Sequence, residues 1–116
     1  MNHNGDIIPG KIVVSHGVCY IPYGGRENPH DNYQALVHNG TDLIWLPSGD
    51  GQVPPGALQG GVTGDGESLF IGRTRHGDSW CIGKVHPSHG CLYIAFGGEE
   101  IRYDNYEVLC AKTVPF

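Results

Sequence analysis

Two lysines and two glutamates with the chemistry to hold a polar ligand recur at equivalent places in the chain. Lys11 and Lys84 each follow a glycine, and Glu27 and Glu100 each lie two residues after a Gly-Gly pair. An ammonium group donates hydrogen bonds and a carboxylate accepts them, so these side chains could bind vicinal hydroxyl groups. They could equally form ion pairs with one another, since even a weak exposed pair orients both side chains.

The recurrence belongs to an internal repeat. Residues 10–37 and 83–110 align without a gap at an offset of 73 residues, and 14 of the 28 aligned positions are identical. A repeat of fixed period defines the building unit before any strand or helix is assigned. Any site that one copy builds is therefore expected to occur twice.

The two copies are unequal in length. The second copy follows the long segment 45–82, whereas only nine residues precede the first. We predict one all-β domain over residues 1–116, with a partial first repeat at 1–40 and a complete second repeat at 41–116. The missing half could have been lost from a longer parent, or another chain could supply it by strand exchange in a homodimer. An unpaired half-repeat would otherwise expose strand edges and apolar surface.

Glycine and proline, which favour turns, are frequent in the chain, with 19 and 8 residues respectively. No segment has apolar residues at helical spacing. Short β-branched and aromatic runs between turn signals are typical of antiparallel strands. The fold class expected is all-β, as tandem antiparallel sheets that form two packed layers or a flattened barrel. The predicted strands cover residues 11–14, 18–22, 33–37, 42–46, 57–62, 68–72, 81–86, 91–95 and 106–111.

Composition excludes several functions. The net charge of −5 argues against nucleic acid as a partner, and no apolar run is long enough to span a membrane. No apolar leader segment is visible, which favours a cytoplasmic location, or secretion without a leader. In a reducing compartment the cysteines would remain thiols, and their positions suit small buried hydrophobic residues. They are Cys19, Cys81, Cys91 and Cys110.

Five conspicuous motifs lie along the chain, two in the first repeat and three in the second. The second contains GQVPPGALQGG (51–61), GDGESLFIGR (64–73) and HGCLYIAFGGEE (89–100), and the first contains IIPGK (7–11) and HGVCYIPYGGRE (16–27). In these motifs the chain resembles the DM-nine repeat family over nearly its whole length. The resemblance implies an all-β fold of two units about a pseudo-twofold axis. It also implies a glycan-binding module of innate recognition without enzyme chemistry.

The resemblance also implies a ligand set. In a mannose-binding member, a lysine after a Pro-Gly turn and an aspartate upstream hold the sugar hydroxyls. The lysine corresponds to Lys11 and Lys84, whereas Thr63 occupies the aspartate position and Asp65 lies two residues later. Residues 63 and 65 share a face if this segment is extended, so Asp65 could substitute. Lys11 would have to use the same Thr63 or Asp65, or those of a partner chain.

The remaining candidates have a structural reading as well. For the repeated tyrosines, Tyr20 and Tyr93 and likewise Tyr33 and Tyr106, core packing is favoured over stacking on a sugar. We expect Trp45 in the core and Trp80 at the periphery. We expect His16 and His89 to close turns by hydrogen bonding.

Neither a metal site nor a catalytic site is predicted. His and Cys residues crowd between positions 76 and 91, but their spacing is not that of a zinc finger, so we expect no cofactor. Ser15 and His16 would point to opposite faces of a strand, and no nucleophile motif is present.

We therefore expect a lectin for mannose-type glycans in innate immunity, acting as a homodimer. Its ligand-binding residues would be Lys11, Lys84, Asp65, Thr63, Glu27 and Glu100. The alternative is a non-catalytic protein-interaction module that has lost sugar binding.

Overall fold

A computed structural model describes residues 2, 3, 5–35 and 42–111 of the chain. These residues form twelve strands and two single-turn 3-10 helices, with no α-helix among them, which confirms the all-β prediction. The strands are β1 (Asn2–His3), β2 (Asp6–Ile7), β3 (Lys11–Val13), β4 (Val18–Tyr23), β5 (Arg26–His30), β6 (Leu43–Gly49), β7 (Gln59–Val62), β8 (Ser68–His76), β9 (Ser79–His86), β10 (Cys91–Phe96), β11 (Glu99–Tyr103) and β12 (Asn105–Ala111). The 3-10 helices span Val14–His16 and Pro87–His89.

The strands join into one curled antiparallel sheet rather than separate sheets. Their order is β1-β2-β7-β8-β9-β10-β11-β5-β4-β3, while β12 pairs with β8 on one side and with β6 on the other. The sheet of the second repeat passes into that of the first at the junction of β11 with β5, where Glu99 pairs with Arg26, and β2 also pairs with β7 at Ile7 and Val62. This junction and the pairing of β2 with β7 together decide how the two repeats face each other.

The two strands at the junction were not predicted. Their sequences, RENPH and EEIRY, are polar and carry few of the β-branched residues that mark a strand. They are strands because tight turns at Gly24-Gly25 and Gly97-Gly98 fold each one back on the apolar strand before it. The prediction of a strand at 33–37 is wrong over residues 33–35, and residues 36 and 37 lie outside the described part.

The hydrophobic core has two unequal parts. The larger cluster belongs to the second repeat and centres on seven buried residues, among them Val85, Leu92 and Val108. The smaller cluster joins Ile8, Cys19 and Ile21 of the first repeat to Leu69 of the second. All four cysteines are buried with free thiols, as their interpretation as small hydrophobic residues predicts.

Equivalent residues of the two repeats differ in burial. Val85 is fully buried, whereas its counterpart Ile12 is 40% exposed; Tyr106 is 5% exposed and its counterpart Tyr33 is 36% exposed. In the second repeat, β6 and β12 pair with each other over this part of the core. Core packing is thus confirmed for Tyr106 and wrong for Tyr33.

Gly83 is predicted to be indispensable to the fold. A Cβ atom there would collide with the carbonyl oxygen of Tyr93 and lie 3.1 Å from the Cα of Ile94, so backbone would have to move. We expect Gly83→Ala to lower the free energy of unfolding by about 3 kcal/mol or more.

The matched control for this substitution is Gly77→Ala. Gly77 has φ +61° with open space around it, so alanine there costs only backbone strain, about 1 kcal/mol. Urea unfolding of both variants provides the comparison. Equal losses of stability would contradict the close approach at Gly83.

Candidate functional site

The hairpin turns of the two repeats exchange hydrogen bonds about a pseudo-twofold axis. The N–H of Glu27 donates to the carbonyl of Gly98 at 2.9 Å, and the N–H of Glu100 donates to the carbonyl of Gly25 at 3.0 Å. The side chains repeat the exchange: Gly25 N–H donates to Glu100 Oε1 at 3.0 Å, and Gly98 N–H donates to Glu27 Oε1 at 3.1 Å. Each glutamate therefore closes the turn of the other repeat.

The second oxygen of each carboxylate faces the lysine of its own repeat. Lys11 Nζ lies 3.3 Å from Glu27 Oε2, and Lys84 Nζ lies 3.4 Å from Glu100 Oε2. The Lys84 contact is an ion pair without well-aligned hydrogen-bond geometry, since Glu100 Oε2 has no hydrogen-bond partner within the described residues. The side chains of Lys84 and Glu100 are only 7% and 12% exposed, so water screens this pair weakly.

The Lys11 ammonium lies against aromatic rings from both repeats. It is 4.7 Å from the ring centroid of Phe96, in the second repeat, and 5.9 Å from that of Tyr20, in the first. The negative face of an aromatic ring attracts a cation at these distances. We call Lys11, Glu27, Tyr20 and Phe96 the Lys11 cage.

The Lys84 cage is the pseudo-symmetric counterpart and consists of Lys84, Glu100, Tyr93 and Tyr23. The ammonium lies 5.3 Å from the ring centroid of Tyr23, in the first repeat, and 5.4 Å from that of Tyr93, in the second. Burial, together with a hydrogen bond to Cys91, raises the pKa of the Tyr93 phenol to about 12, so the ring keeps its proton. Both cages thus exist only where the repeats meet.

Histidines hold the tyrosines of the cages. His16 Nδ1 lies 2.8 Å from the Tyr20 hydroxyl, and His89 Nδ1 lies 3.0 Å from the Tyr93 hydroxyl. Both histidines end a 3-10 turn rather than a strand, so the prediction that Ser15 and His16 point to opposite faces of a strand is wrong. These imidazoles bond to side chains and position aromatic rings.

A second pair of histidines packs on the far sides of the cages. His3 meets the Tyr23 ring edge-on at 4.7 Å and contacts His30 between ring nitrogens at 3.0 Å. His76, its counterpart, lies 2.6 Å from the hydroxyl of Tyr103. Burial and the nearby His30 lower the pKa of His3, so this imidazole is neutral at neutral pH.

A polar cavity of about 440 Å³ opens beside the Lys84 cage, with Tyr23 as a shared wall. Lys84 does not line it, but its charge helps to lower the pKa of His86, which does. Pockets of this size accommodate small ligands, and polar groups fix the orientation of the ligand. The described residues that line the cavity are Asp6, Tyr23, Thr63, Gly64, Asp65, Glu67, His86, Ser88 and His89.

Glu67 and His86 form the most connected group in this cavity. Glu67 Oε1 lies 2.9 Å from His86 Nε2 and accepts from the Ser88 hydroxyl at 2.7 Å, while Oε2 accepts from the Ser88 N–H at 2.8 Å. Burial alone would raise the pKa of Glu67, but the hydrogen bonds from Ser88 and His86 outweigh it and lower that pKa. Burial and the adjacent His89, stacked at 3.6 Å, lower the pKa of His86.

Thr63 and Asp65 lie in the hairpin turn between β7 and β8, at the rim of the cavity. The Thr63 hydroxyl accepts the N–H of Glu67 at 3.0 Å and so serves the turn itself. Asp65 is exposed at the tip. Asp6 lies below them and accepts the N–H of Gly64 at 2.7 Å through Oδ1. The turn and β2 therefore bring the carboxylates of Asp65 and Asp6 and the hydroxyl of Thr63 to one cavity.

The six predicted site residues separate into two groups. Lys11 with Glu27 and Lys84 with Glu100 form the caged ion pairs, which was one of the two interpretations that the sequence allowed. Thr63 and Asp65 line the cavity beside Lys84 and belong to no ion pair of Lys11.

Sequence reasoning assigned only Thr63 and Asp65 of the cavity residues to a binding site and missed the others. Asp6, Tyr23 and Glu67 come from separate segments, and only the folded sheet brings them together. The available signal was weak: Glu67 follows the glycine-rich turn directly, and Tyr23 aligns with Phe96 as a second aromatic position shared by the repeats.

The described residues contain no group of three or more His, Cys, Asp or Glu side chains placed to hold a metal ion. In the crowded segment, His86 bonds to Glu67 and His76 to Tyr103, while Cys81 and Cys91 are core residues. The same residues include no helix that is long and apolar enough to cross a membrane.

Comparison with known proteins gives one consistent result. A family profile described as the DM9 repeat matches residues 1–103. Natterin-3 and Natterin-4 of Thalassophryne nattereri are 34% and 30% identical over 93 residues, which is 78% of this chain. The aligned part covers 23% and 22% of those proteins, so the chain corresponds to about a quarter of their length.

Loss of the Glu100 charge is predicted to destabilise the junction between the repeats. Glu100→Gln keeps the oxygen that accepts the Gly25 N–H but leaves Lys84 buried without a counter-charge. We expect the free energy of unfolding to fall by about 2–4 kcal/mol, because an unpaired buried charge is costly. The control is Asp104→Asn at the exposed pair with Arg102, which should cost much less. If urea unfolding showed similar losses of stability in both variants, burial of the Lys84–Glu100 pair would not explain the effect.

Acid is predicted to weaken the fold through the cavity. The pKa of His86 is below 6.5 in the fold, so the unfolded chain binds this proton more readily and stability falls as pH drops below 6.5. Glu67, with its pKa below 4.5, adds a further loss as pH falls through that lower value. His86→Gln should flatten the stability profile between pH 6.5 and 4.5, measured by urea unfolding, while His16→Gln should not. If the stability of His86→Gln fell with pH as steeply as that of the wild type, His86 would not be the source of the acid sensitivity.

Proposed function

Because the chain belongs to the DM9 repeat family, whose members are binding modules associated with carbohydrates, we propose that it is a lectin for mannose-type glycans in innate immunity. The observation that carries this proposal is the polar cavity beside the Lys84 cage. It offers hydrogen-bond acceptors at Asp6, Asp65 and Glu67, and an aromatic wall at Tyr23. A hexose has vicinal hydroxyls that can donate hydrogen bonds to these acceptors, and it has an apolar ring face that can stack on Tyr23.

Lys84 contributes in two ways under this proposal. It does not line the cavity, but its charge helps to lower the pKa of His86, which does. Its contact with Tyr23 also fixes the ring that forms the wall. The Lys11 cage repeats the ion pair and the aromatic contacts and supplies a second, shallower site.

Each site should bind a single sugar weakly, with a dissociation constant of roughly millimolar to tens of micromolar, because few contacts hold a small hydrated ligand. Two sites in one chain would raise the apparent affinity for a branched glycan without any new contact. The paired cages support this arrangement.

Neutral replacement of each caged pair tests the assignment. Lys84→Met with Glu100→Gln removes both charges together, so neither remains buried and unpaired. We expect the double variant to lose the mannose-induced NMR shifts at Thr63 and Asp65, and Lys11→Met with Glu27→Gln to lose only shifts near Phe96. Glu107→Gln is the control. Wild-type mannose binding by both double variants would reject the site assignment.

Thr63→Asp provides a gain-of-function test. The change places a carboxylate at the position where mannose-binding members of the family carry their aspartate. A hydrogen bond to a charged group is stronger than one to a hydroxyl, so mannose affinity should rise about tenfold. Isothermal titration calorimetry measures it, with Thr63→Asn as the uncharged control. An affinity equal to or below that of the wild type would place the sugar elsewhere.

The second candidate function is protein interaction without sugar binding, and the open face of the first repeat favours it. Ile12 and Val14 are 40% and 87% exposed there. We propose a second copy of the chain as the occupant. Strand exchange is not the arrangement proposed. In each chain β6 pairs with β12, so donating β6 to a partner would expose the core of the second repeat. A twofold dimer that buries two such faces against each other leaves both second repeats intact.

Val14→Asp is expected to convert such a dimer into a monomer, since it places a charge in the centre of the apolar contact. Light scattering coupled to gel filtration gives the mass, and Trp80→Asp, at an exposed apolar residue of the second repeat, is the control. A monomeric wild-type protein at high concentration would overturn the homodimer.

We also propose a reducing compartment, that is, the cytoplasm. Four unpaired thiols support this, because oxidising compartments favour disulfides. Burial raises the pKa of each thiol, which lowers its reactivity.

A further inference from the structure

A stack of aromatic and cationic side chains lies outside both lysine cages. The Arg73 guanidinium carbon is 4.4 Å from the ring centroid of Trp45 and 4.2 Å from that of Trp80, so the cation lies between two indoles. Arg75 approaches the Trp80 ring at 5.7 Å. We call these four residues the Trp80 platform. Glu107 holds it in place by accepting the Nε–H of Arg73 at 2.7 Å.

The platform is built across strands of the second repeat. Arg75 on β8 is directly opposite Trp80 on β9, and Trp45 comes from β6, on the far side of β12. The first repeat has no counterpart, because Ile7 aligns with Trp80 and Asn2 with Arg75. The platform therefore occurs once in the chain, and the pseudo-symmetry of the cages does not explain it.

Trp80 is 51% exposed although it is stacked, so much of the indole remains in contact with solvent. Within the described part of the chain, Arg75 makes no hydrogen bond or ion pair, and Arg73 commits only its Nε. A guanidinium carries five N–H donors, most of which stay available here. In a chain of net charge −5, Glu107 compensates the charge of Arg73, but Arg75 leaves one net positive charge beside an open aromatic surface.

We propose that the Trp80 platform binds an acidic glycan, that is, a saccharide that bears a carboxylate or sulfate group. The apolar face of a sugar ring stacks on the exposed indole, while the anionic substituent accepts hydrogen bonds from Arg75 and from the terminal nitrogens of Arg73. A guanidinium can donate two parallel N–H bonds to two oxygens of a carboxylate or sulfate group, which a lysine ammonium does not do. A neutral sugar would use only the indole and an acidic peptide only the arginines, so the two groups together favour an acidic sugar.

This platform is a site separate from the cavity beside Lys84, and its ligand differs in charge. The cavity offers carboxylates, which would repel an anionic sugar, whereas the platform offers cations. The two proposals can therefore fail independently.

NMR with a heparin-derived hexasaccharide tests the proposal, with maltohexaose as the neutral probe. We expect the indole N–H signal of Trp80 to shift saturably with the acidic probe and little with the neutral one. Arg75→Gln should weaken binding about fivefold or more, and Trp80→Leu should weaken it similarly, with both folds checked by thermal unfolding. Arg26→Gln removes an exposed arginine elsewhere and should leave the affinity within about twofold, because only long-range attraction changes.

Several outcomes would overturn the proposal. They are no saturable shift of the Trp80 indole, equal shifts with maltohexaose, equal weakening by Arg75→Gln and Arg26→Gln, and equal affinity for poly-glutamate, which would indicate attraction by charge alone. The variant Lys84→Met with Glu100→Gln should bind the acidic probe like the wild type. If it loses that binding as well as mannose, the acidic sugar occupies the cavity and the platform is not its site.

Discussion

The exchange of two carboxylates between the repeats is the interaction on which the structure depends. Each carboxylate has two oxygens, and the fold gives one to a backbone N–H of the other repeat and the other to a lysine of its own. Burying a charge is costly unless it is paired and hydrogen-bonded, and here neither repeat can meet both needs alone. The lysine, the glutamate and the Gly-Gly turn therefore form one unit that requires two copies of the hairpin.

The same constraint shapes the candidate binding site. Aromatic rings from opposite repeats enclose each lysine, so the cages assemble only when the repeats meet. Each lysine already has a carboxylate partner, so the groups around the cages are the ones left to contact a ligand. Only the second repeat has the glycine-rich hairpin of β7 and β8, and this hairpin builds the cavity beside Lys84. A nearly symmetric junction thus carries an asymmetric surface, with a polar cavity on one side and an aromatic platform elsewhere.

Much of this could be predicted from the sequence, though not the strands that matter most. The repeat, the turn glycines and the short apolar runs predict an all-β fold. The four cysteines lie at positions that suit small hydrophobic residues, which predicts buried thiols. Lys11, Lys84, Glu27 and Glu100 stand out because they recur at one offset. Strands β5 and β11 were missed because charged residues argue against a strand when each segment is considered alone. The strand expected at 33–37 fails over 33–35 for the opposite reason: the pattern is right, but the described residues include no second copy of β6 for this segment to pair with.

The sequence by itself determined the unit of the fold, its strands with apolar alternation, and the identity of the repeated charged pairs, because each of these is a local pattern or a repeated one. Only the tertiary structure decided that each glutamate serves both repeats and that Tyr23 and Phe96 cross over to the opposite lysine. It also decided that Asp6, Glu67 and His86 surround one cavity with Thr63 and Asp65. These are contacts between segments far apart in the chain, and their geometry follows from the curl of the sheet and the close approach at Gly10 and Gly83, where any side chain would collide with the backbone of the neighbouring strand.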